Sequence, residues 1–285
     1  MSVRLIGSLG EIADAYDVLY CDLWGCYHNG LEPYPAAVAA LRAFRARGGT
    51  VALMTNAPRP GPSVASHLAA MGAPADSWDI IVSSGDAAHA EAASGRFGRR
   101  VVHVGPERDL TFFEGLGIEL TGADEAESVI CTGLTDDETE SPADYAEPIA
   151  RWRARGLPML CANPDVIVDR GDVRLYCAGA IAEAYAAVGG EVVYTGKPHA
   201  PIYRLAREML AARGVSEAAR VLAIGDGAAT DIAGGAATGI DTVFIAGGIA
   251  AGSVSDDPET PDPARLAAFL GKAGVAPTYA MGRLR

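Results

Sequence analysis

No apolar run reaches the roughly 18 residues that a membrane-spanning helix needs, and no basic stretch leads into an apolar segment near the first residues. That pattern predicts neither a membrane span nor a secretory signal, and hence a cytoplasmic protein. Close cysteine pairs are also missing. Cys21, Cys26, Cys131, Cys161 and Cys177 are odd in number, form no CxxC and mostly sit in apolar strings, so reduced, buried thiols are expected rather than a disulfide framework. A long basic stripe is absent as well. With 36 acidic against 23 basic residues the formal charge is -13, which argues against nucleic acid or an anionic membrane as partner. A phosphorylated small molecule stays open, because it needs only a local pocket of donors and cations.

Several ligand signatures are lacking too. GSLGEIA (7–13) and AGGIAAG (246–252) do not place GxGxxG between a strand and its helix, which removes a dinucleotide site. TGKP (195–198) lacks the upstream glycines of a phosphate loop and the Ser/Thr after its lysine. His67, His89, His103 and His199 show no compact metal-ligand spacing, and there is no internal repeat.

What the 285 residues do contain, at 49% hydrophobic, is enough apolar material for a sizeable core. VLYCD (18–22), TVALMTN (50–56) and DIIVSSG (79–85) read as short buried strands. Between them YPAAVAALRAFRARGG (34–49) sets Val38, Leu41 and Phe44 at helical spacing, and PSVASHLAAMG (62–72) is a second helix. The alternation returns late. EVVYTGK (191–197), RVLAIGDG (220–227) and DTVFIAGG (241–248) are strands, with helices over 200–214, 230–239 and 262–274. Short apolar strands separated by helices predict an α/β fold with a mostly parallel sheet covered on both faces. RRVVHVG, SVICTG and PMLCANPD supply further strands between these halves. The pattern therefore predicts a discontinuous core, 1–85 and 190–285, interrupted by an inserted α/β domain, 86–189.

Ligands of an open parallel sheet gather at the carboxyl ends of its strands. Asp22, Thr55 with Asn56, Lys197 and Asp226 each follow an apolar strand at such an end. One strand-terminal Asp or Thr is commonly a turn former or a helix cap. Two carboxylates, a hydroxyl and a lysine at one edge suggest an anion site with a divalent cation.

DLWGCYHNG (22–30), MTNAP (54–58), YTGKP (194–198) and GDGAATD (225–231), in this order and joined by ANPD (162–165), resemble the motifs of haloacid dehalogenase (HAD) superfamily hydrolases. The likeness is to subclass IIA, with an inserted α/β C2 cap, which holds the NagD-like sugar and nitrophenyl phosphatases. It implies a Rossmannoid three-layer αβα core, Mg²⁺ as cofactor, a small phosphorylated metabolite as substrate, and a homodimer through the cap. It also implies roles. Asp22 would be the nucleophile that becomes an aspartyl-phosphate. Asp22, the backbone carbonyl of Trp24 and Asp226 would hold Mg²⁺, a hard cation that prefers oxygen. Asp231 would support the metal, cap the following helix, or both. Thr55 would donate to a phosphoryl oxygen and Lys197 would neutralise charge. Asn56 would touch phosphate or leaving group, and Asn163 and Asp165 in the cap would close over the substrate.

One position departs from the pattern. Most phosphatases of this superfamily carry Asp two residues after the nucleophile, as general acid and base; here it is Trp24, whose indole does not titrate usefully. A subset of the capped subgroup resembles this chain in having Trp there. His28 on the same loop is either a surrogate acid or an ordinary loop residue beside the cap, and Cys26, flanked by aromatics, reads as packing. Two functions follow: a Mg²⁺-dependent phosphatase whose proton transfer is impaired, or a protein of the same fold that binds metal and a phosphorylated ligand or a partner with little turnover.

Overall fold

The computed structural model describes residues 3–170 and 173–285. In chain order its strands are β1 (Arg4–Leu5), β2 (Val18–Asp22), β3 (Thr50–Thr55), β4 (Ile80–Ser83), β5 (Arg100–Val104), β6 (Glu119–Leu120), β7 (Ser128–Cys131), β8 (Met159–Cys161), β9 (Ile167–Arg170), β10 (Val173–Tyr176), β11 (Val192–Tyr194), β12 (Val221–Gly225), β13 (Asp241–Ile245) and β14 (Tyr279–Met281). The chain divides into two compact units. One comprises the residues up to Thr55, Ala65–Val82 and Tyr203–Arg285; the other, inserted in it, comprises Asn56–Val64 and Ser83–Ile202. This is the expected α/β core on a mostly parallel sheet, with an inserted cap. Among the described residues no helix is long and apolar enough to cross a membrane. All five cysteines are buried, and none is joined in a disulfide.

The first unit is built on a seven-stranded sheet of order β1-β14-β13-β12-β2-β3-β4, in which the pairings from β1 to β3 are all parallel. Every residue of β2 is buried, as a strand covered on both faces requires. The helix Pro35–Ala46 begins on a proline in its first turn and buries Val38, Leu41 and Phe44, the three residues its periodicity singles out. The helix Pro263–Ala273 is capped by the Asp262 carboxylate, which accepts from the N–H groups of Ala264 and Arg265, and it ends at left-handed Gly274. From β2 the chain moves to β3 and β4 on one side; from β12 it moves to β13 and β14 on the other. The boundary between β2 and β12 is therefore the switch point of the sheet, the place where such folds hold ligands.

The second unit carries an all-parallel sheet of order β11-β8-β7-β5-β6 and an antiparallel pair, β9 with β10. Alternate residues of β7 serve opposite faces. Val129 and Cys131 pack with Trp152 and Tyr185, whose rings meet edge to face at 6.1 Å; Ile130 packs with Ala88, Phe97 and Phe112.

Two elements differ from the sequence reading. The strand expected over 191–197 belongs to this second sheet, where Val192 pairs with Met159, rather than to the core range 190–285. A three-residue apolar run specifies a strand but not its neighbour, and β8 offered an open edge. The apolar stretch 79–85 ends as a strand at Ser83, because the Ser83 hydroxyl accepts the Asp86 N–H at 2.9 Å and starts a helix at Ser84.

Candidate active site

Asp22 is the last residue of β2 and Asp226 the first after β12, so the switch point brings two carboxylates together. Both are nearly buried, at 9% and 8% exposure. The loop that follows β2 folds back at once: the N–H groups of Tyr27 and His28 donate to the Leu23 carbonyl at 2.8 and 3.0 Å. That turn adds Cys26, whose sulfur lies with carboxylate oxygens of Asp22 and Asp226 in a cluster no more than 4.8 Å across. Burial, then the charges of Asp226 and Asp22, push the Cys26 thiol well above its ordinary range. It stays protonated, so the oxygens are the donors a cation meets. Two carboxylates this close repel one another unless a positive charge sits between them. The donor set suits a hard divalent cation such as Mg²⁺.

Asp226 is held from two sides. The Ile249 N–H donates to its Oδ2 at 2.7 Å. Gly25 adopts φ 72°, a left-handed conformation, and a Cβ there would collide with the Asp226 carboxylate. The AGGIAAG segment, which carries no dinucleotide signal, is thus the wall that fixes this carboxylate. Asp231 folds over the turn between them: its Oδ2 accepts the Gly227 N–H at 3.1 Å and the Thr230 hydroxyl at 3.3 Å. These bonds tie it to residues before it in the chain, and no side chain caps the helix Ala233–Ala237 that follows. Thr55 closes β3, the neighbour of β2, and is 4% exposed.

The indole of Trp24 lies on its own loop. Its six-membered ring covers Gly30, where a side chain would collide with it, and it meets the His28 ring edge-on at 5.1 Å. His28 is 2% exposed, and its Nδ1 accepts the Gly30 N–H at 2.9 Å. Burial, with a smaller push from His67, pulls the His28 pKa down to about 4. At neutral pH it is uncharged with one nitrogen occupied. At neutral pH neither Trp24 nor His28 carries a charge.

The second unit gathers the remaining sequence candidates. The Asn56 amide clamps the backbone of Lys197: its Oδ1 accepts the Lys197 N–H at 2.7 Å, and its Nδ2 donates to the Lys197 carbonyl at 3.1 Å. The same Nδ2 donates to Asp165 Oδ1 at 2.8 Å, while the Asp165 N–H donates to Asn163 Oδ1 at 2.9 Å. Asn56, Asn163 and Lys197 are all buried. Sequence reasoning gave Asn56 a ligand contact; its polar atoms are engaged in holding Lys197 and Asp165. Cys26 and the Asp226 wall were missed, because only the three-dimensional turn sets them against the carboxylates.

A model of haloacid dehalogenase-like hydrolases matches residues 19–119, and one of HAD-hydrolase-like proteins matches residues 194–270. A crystal structure of a haloacid dehalogenase-like family hydrolase from Brucella suis is 41% identical, with a TM-score of 0.86, covering 99% of this chain and 100% of that one. The glycerol phosphate phosphatase of Mycobacterium tuberculosis, solved with magnesium, is 28% identical with a TM-score of 0.66, over 87% of this chain and 74% of that one. The curated D-glycerol 3-phosphate phosphatase of the same organism is 30% identical over 241 residues, 84% of this chain; the match spans 65% of that protein's length. With its motifs, its sheet order and a relative at 41% identity along its whole length, the chain belongs to the haloacid dehalogenase-like hydrolase family.

Proposed function

We propose that the protein is a Mg²⁺-dependent phosphatase of small phosphorylated metabolites that works through an aspartyl-phosphate on Asp22. The convergence of Asp22 and Asp226 at the β2/β12 switch point carries this reading. Asp22, Asp226 and the Trp24 carbonyl would hold the cation, with Asp231 bracing the turn that presents Asp226. Bound there, Mg²⁺ would offset charge on the phosphoryl oxygens. An oxygen of Asp22 attacks phosphorus, the P–O bond to the organic half breaks, and water then hydrolyses the acyl phosphate to restore the carboxylate. Thr55 donates its hydroxyl to a phosphoryl oxygen, and Lys197, fixed by the Asn56 clamp, supplies the positive charge. The inserted unit with Asn163 and Asp165 serves as the cap.

Proton transfer is the weak part. General acid–base help contributes roughly 10²–10⁴-fold, and neither Trp24 nor neutral His28 supplies it at pH 7. Aryl and acyl phosphates, which leave without a proton, are therefore the favoured class, and an alkyl ester such as glycerol 3-phosphate is the demanding one. Phosphate release from p-nitrophenyl phosphate, acetyl phosphate and glycerol 3-phosphate, with Asp22→Asn as control, tests the proposal. Asp22-dependent release ordered acyl and aryl above alkyl supports it; no such release from any of the three refutes it. Trp24 also favours a second reading, metal and phosphate-ester binding with little turnover. That reading gains if Mg²⁺-dependent binding of the esters is measured without release.

A further inference from the structure

The five-stranded sheet of the second unit has a switch point of its own. The chain leaves β5 for β6 on one side and leaves β7 for β8 on the other, so the carboxyl ends of β5 and β7 flank the place where an open α/β sheet takes a ligand. A crevice of about 220 Å³ lies there, its polar lining made of Arg59, Ser63, Arg108, Asp109 and Thr111, with Phe112 as an apolar wall. At roughly 30 Å³ per water it has room for about seven waters, the space of a small metabolite.

The residues behind the crevice form a built site. Asp109 is 5% exposed, and the nearby Thr132 hydroxyl favours its carboxylate form. Thr132 directly follows β7, and its Oγ1 lies 3.0 Å from Nε2 of His103, the penultimate residue of β5. The two strands of the switch point thus bring half-buried His103 and buried Thr132 up to Asp109, which lines the cavity. Burial raises the carboxyl pKa of Asp109, while the Thr132 hydroxyl and the charges of Arg59 and Arg108 oppose that shift. Arg108 also pairs with Asp137 at 2.5 Å. Arg59 is exposed and makes no salt bridge to a carboxylate among the described residues, which leaves a guanidinium fork for a ligand.

We propose that this crevice binds a small hydroxylated anion: its carboxylate on the guanidinium groups of Arg59 and Arg108, and a hydroxyl donating to Asp109. The chemistry is that of a hydroxy acid, either free or as the organic half of a phosphorylated ester. All the residues that line the crevice belong to the second unit, and binding there is measured without turnover.

Calorimetric titration of the whole protein with D-gluconate, D-sorbitol, 6-phosphogluconate and sorbitol 6-phosphate distinguishes the sources. Each acid should bind at least about tenfold more tightly than its counterpart without the carboxylate, and Arg59→Gln or Arg108→Gln should each cost about tenfold. Binding of gluconate itself assigns a free hydroxy acid. Discrimination only between the two phosphate esters, lost in Arg59→Gln, assigns the organic half of a substrate. The proposal is overturned if both acids bind no better than the polyols, or if the Arg59→Gln, Arg108→Gln double variant, with an unchanged melting temperature, binds the acids as the wild type does.

Discussion

At the scale of single residues the molecule sets Asp22, the proposed nucleophile, two positions from an indole. Asp22 keeps the carboxylate partner it needs, while Trp24 turns onto Gly30 and His28. Trp24→Asp should therefore raise kcat for glycerol 3-phosphate by about 10²-fold, at the lower end of what general acid–base help contributes, and raise it much less for p-nitrophenyl phosphate. Equal gains on both esters would locate the limit elsewhere. His28 gives a second prediction, on stability. Its folded pKa, about 4, lies below the ordinary 6.5, so the unfolded chain takes up a proton first as the pH falls. The stability that His28 contributes is whole above pH 6.5 and drains away towards pH 4, by about 2–3 kcal/mol at most. Denaturant unfolding at pH 7 and pH 4.5 should show that loss, and it should shrink in His28→Gln.

At the scale of elements, what the sequence could show depends on length of run and on pairing. Asp22, Thr55 and Asp226 were legible because each ends or directly follows a buried apolar strand. The sheet that receives β11 was not, since three residues cannot name their neighbour. The short pairs β9–β10 and β1–β14 carry too little periodicity to be read at all. Cys26 looked like packing between aromatics, and only the turn onto the Leu23 carbonyl sets it beside Asp22 and Asp226. The loop after β2 depends on Gly25 at φ 72° against the Asp226 carboxylate. Gly25→Ala should cost about 1–3 kcal/mol of unfolding free energy from backbone strain, and it should abolish Mg²⁺-dependent activity by displacing that carboxylate. Denaturant melts together with phosphate-release assays would show both effects.

For the whole molecule, family and fold could be read from four motifs in order, whereas the division of the motif residues between two compact units could not. The linear order of Asn56, Lys197 and Asp165 conceals that Asn56 bonds to the other two. The proposed Mg²⁺ site at the switch point predicts that metal and stability are interdependent. At a Mg²⁺ concentration a hundredfold above Kd the folded state should gain about 2.7 kcal/mol. The melting temperature should rise with Mg²⁺ in the wild type and fall back with chelator, but stay flat in Asp226→Asn. The central claim is that Asp22 itself carries the phosphoryl group. Acid quenching preserves an acyl phosphate formed on a carboxylate during turnover. The direct measurement is peptide mass mapping of protein acid-quenched during turnover of p-nitrophenyl phosphate with Mg²⁺. The account predicts phosphate on the Asp22 peptide, absent with chelator and in Asp22→Asn; phosphate release continuing undiminished in Asp22→Asn would contradict it.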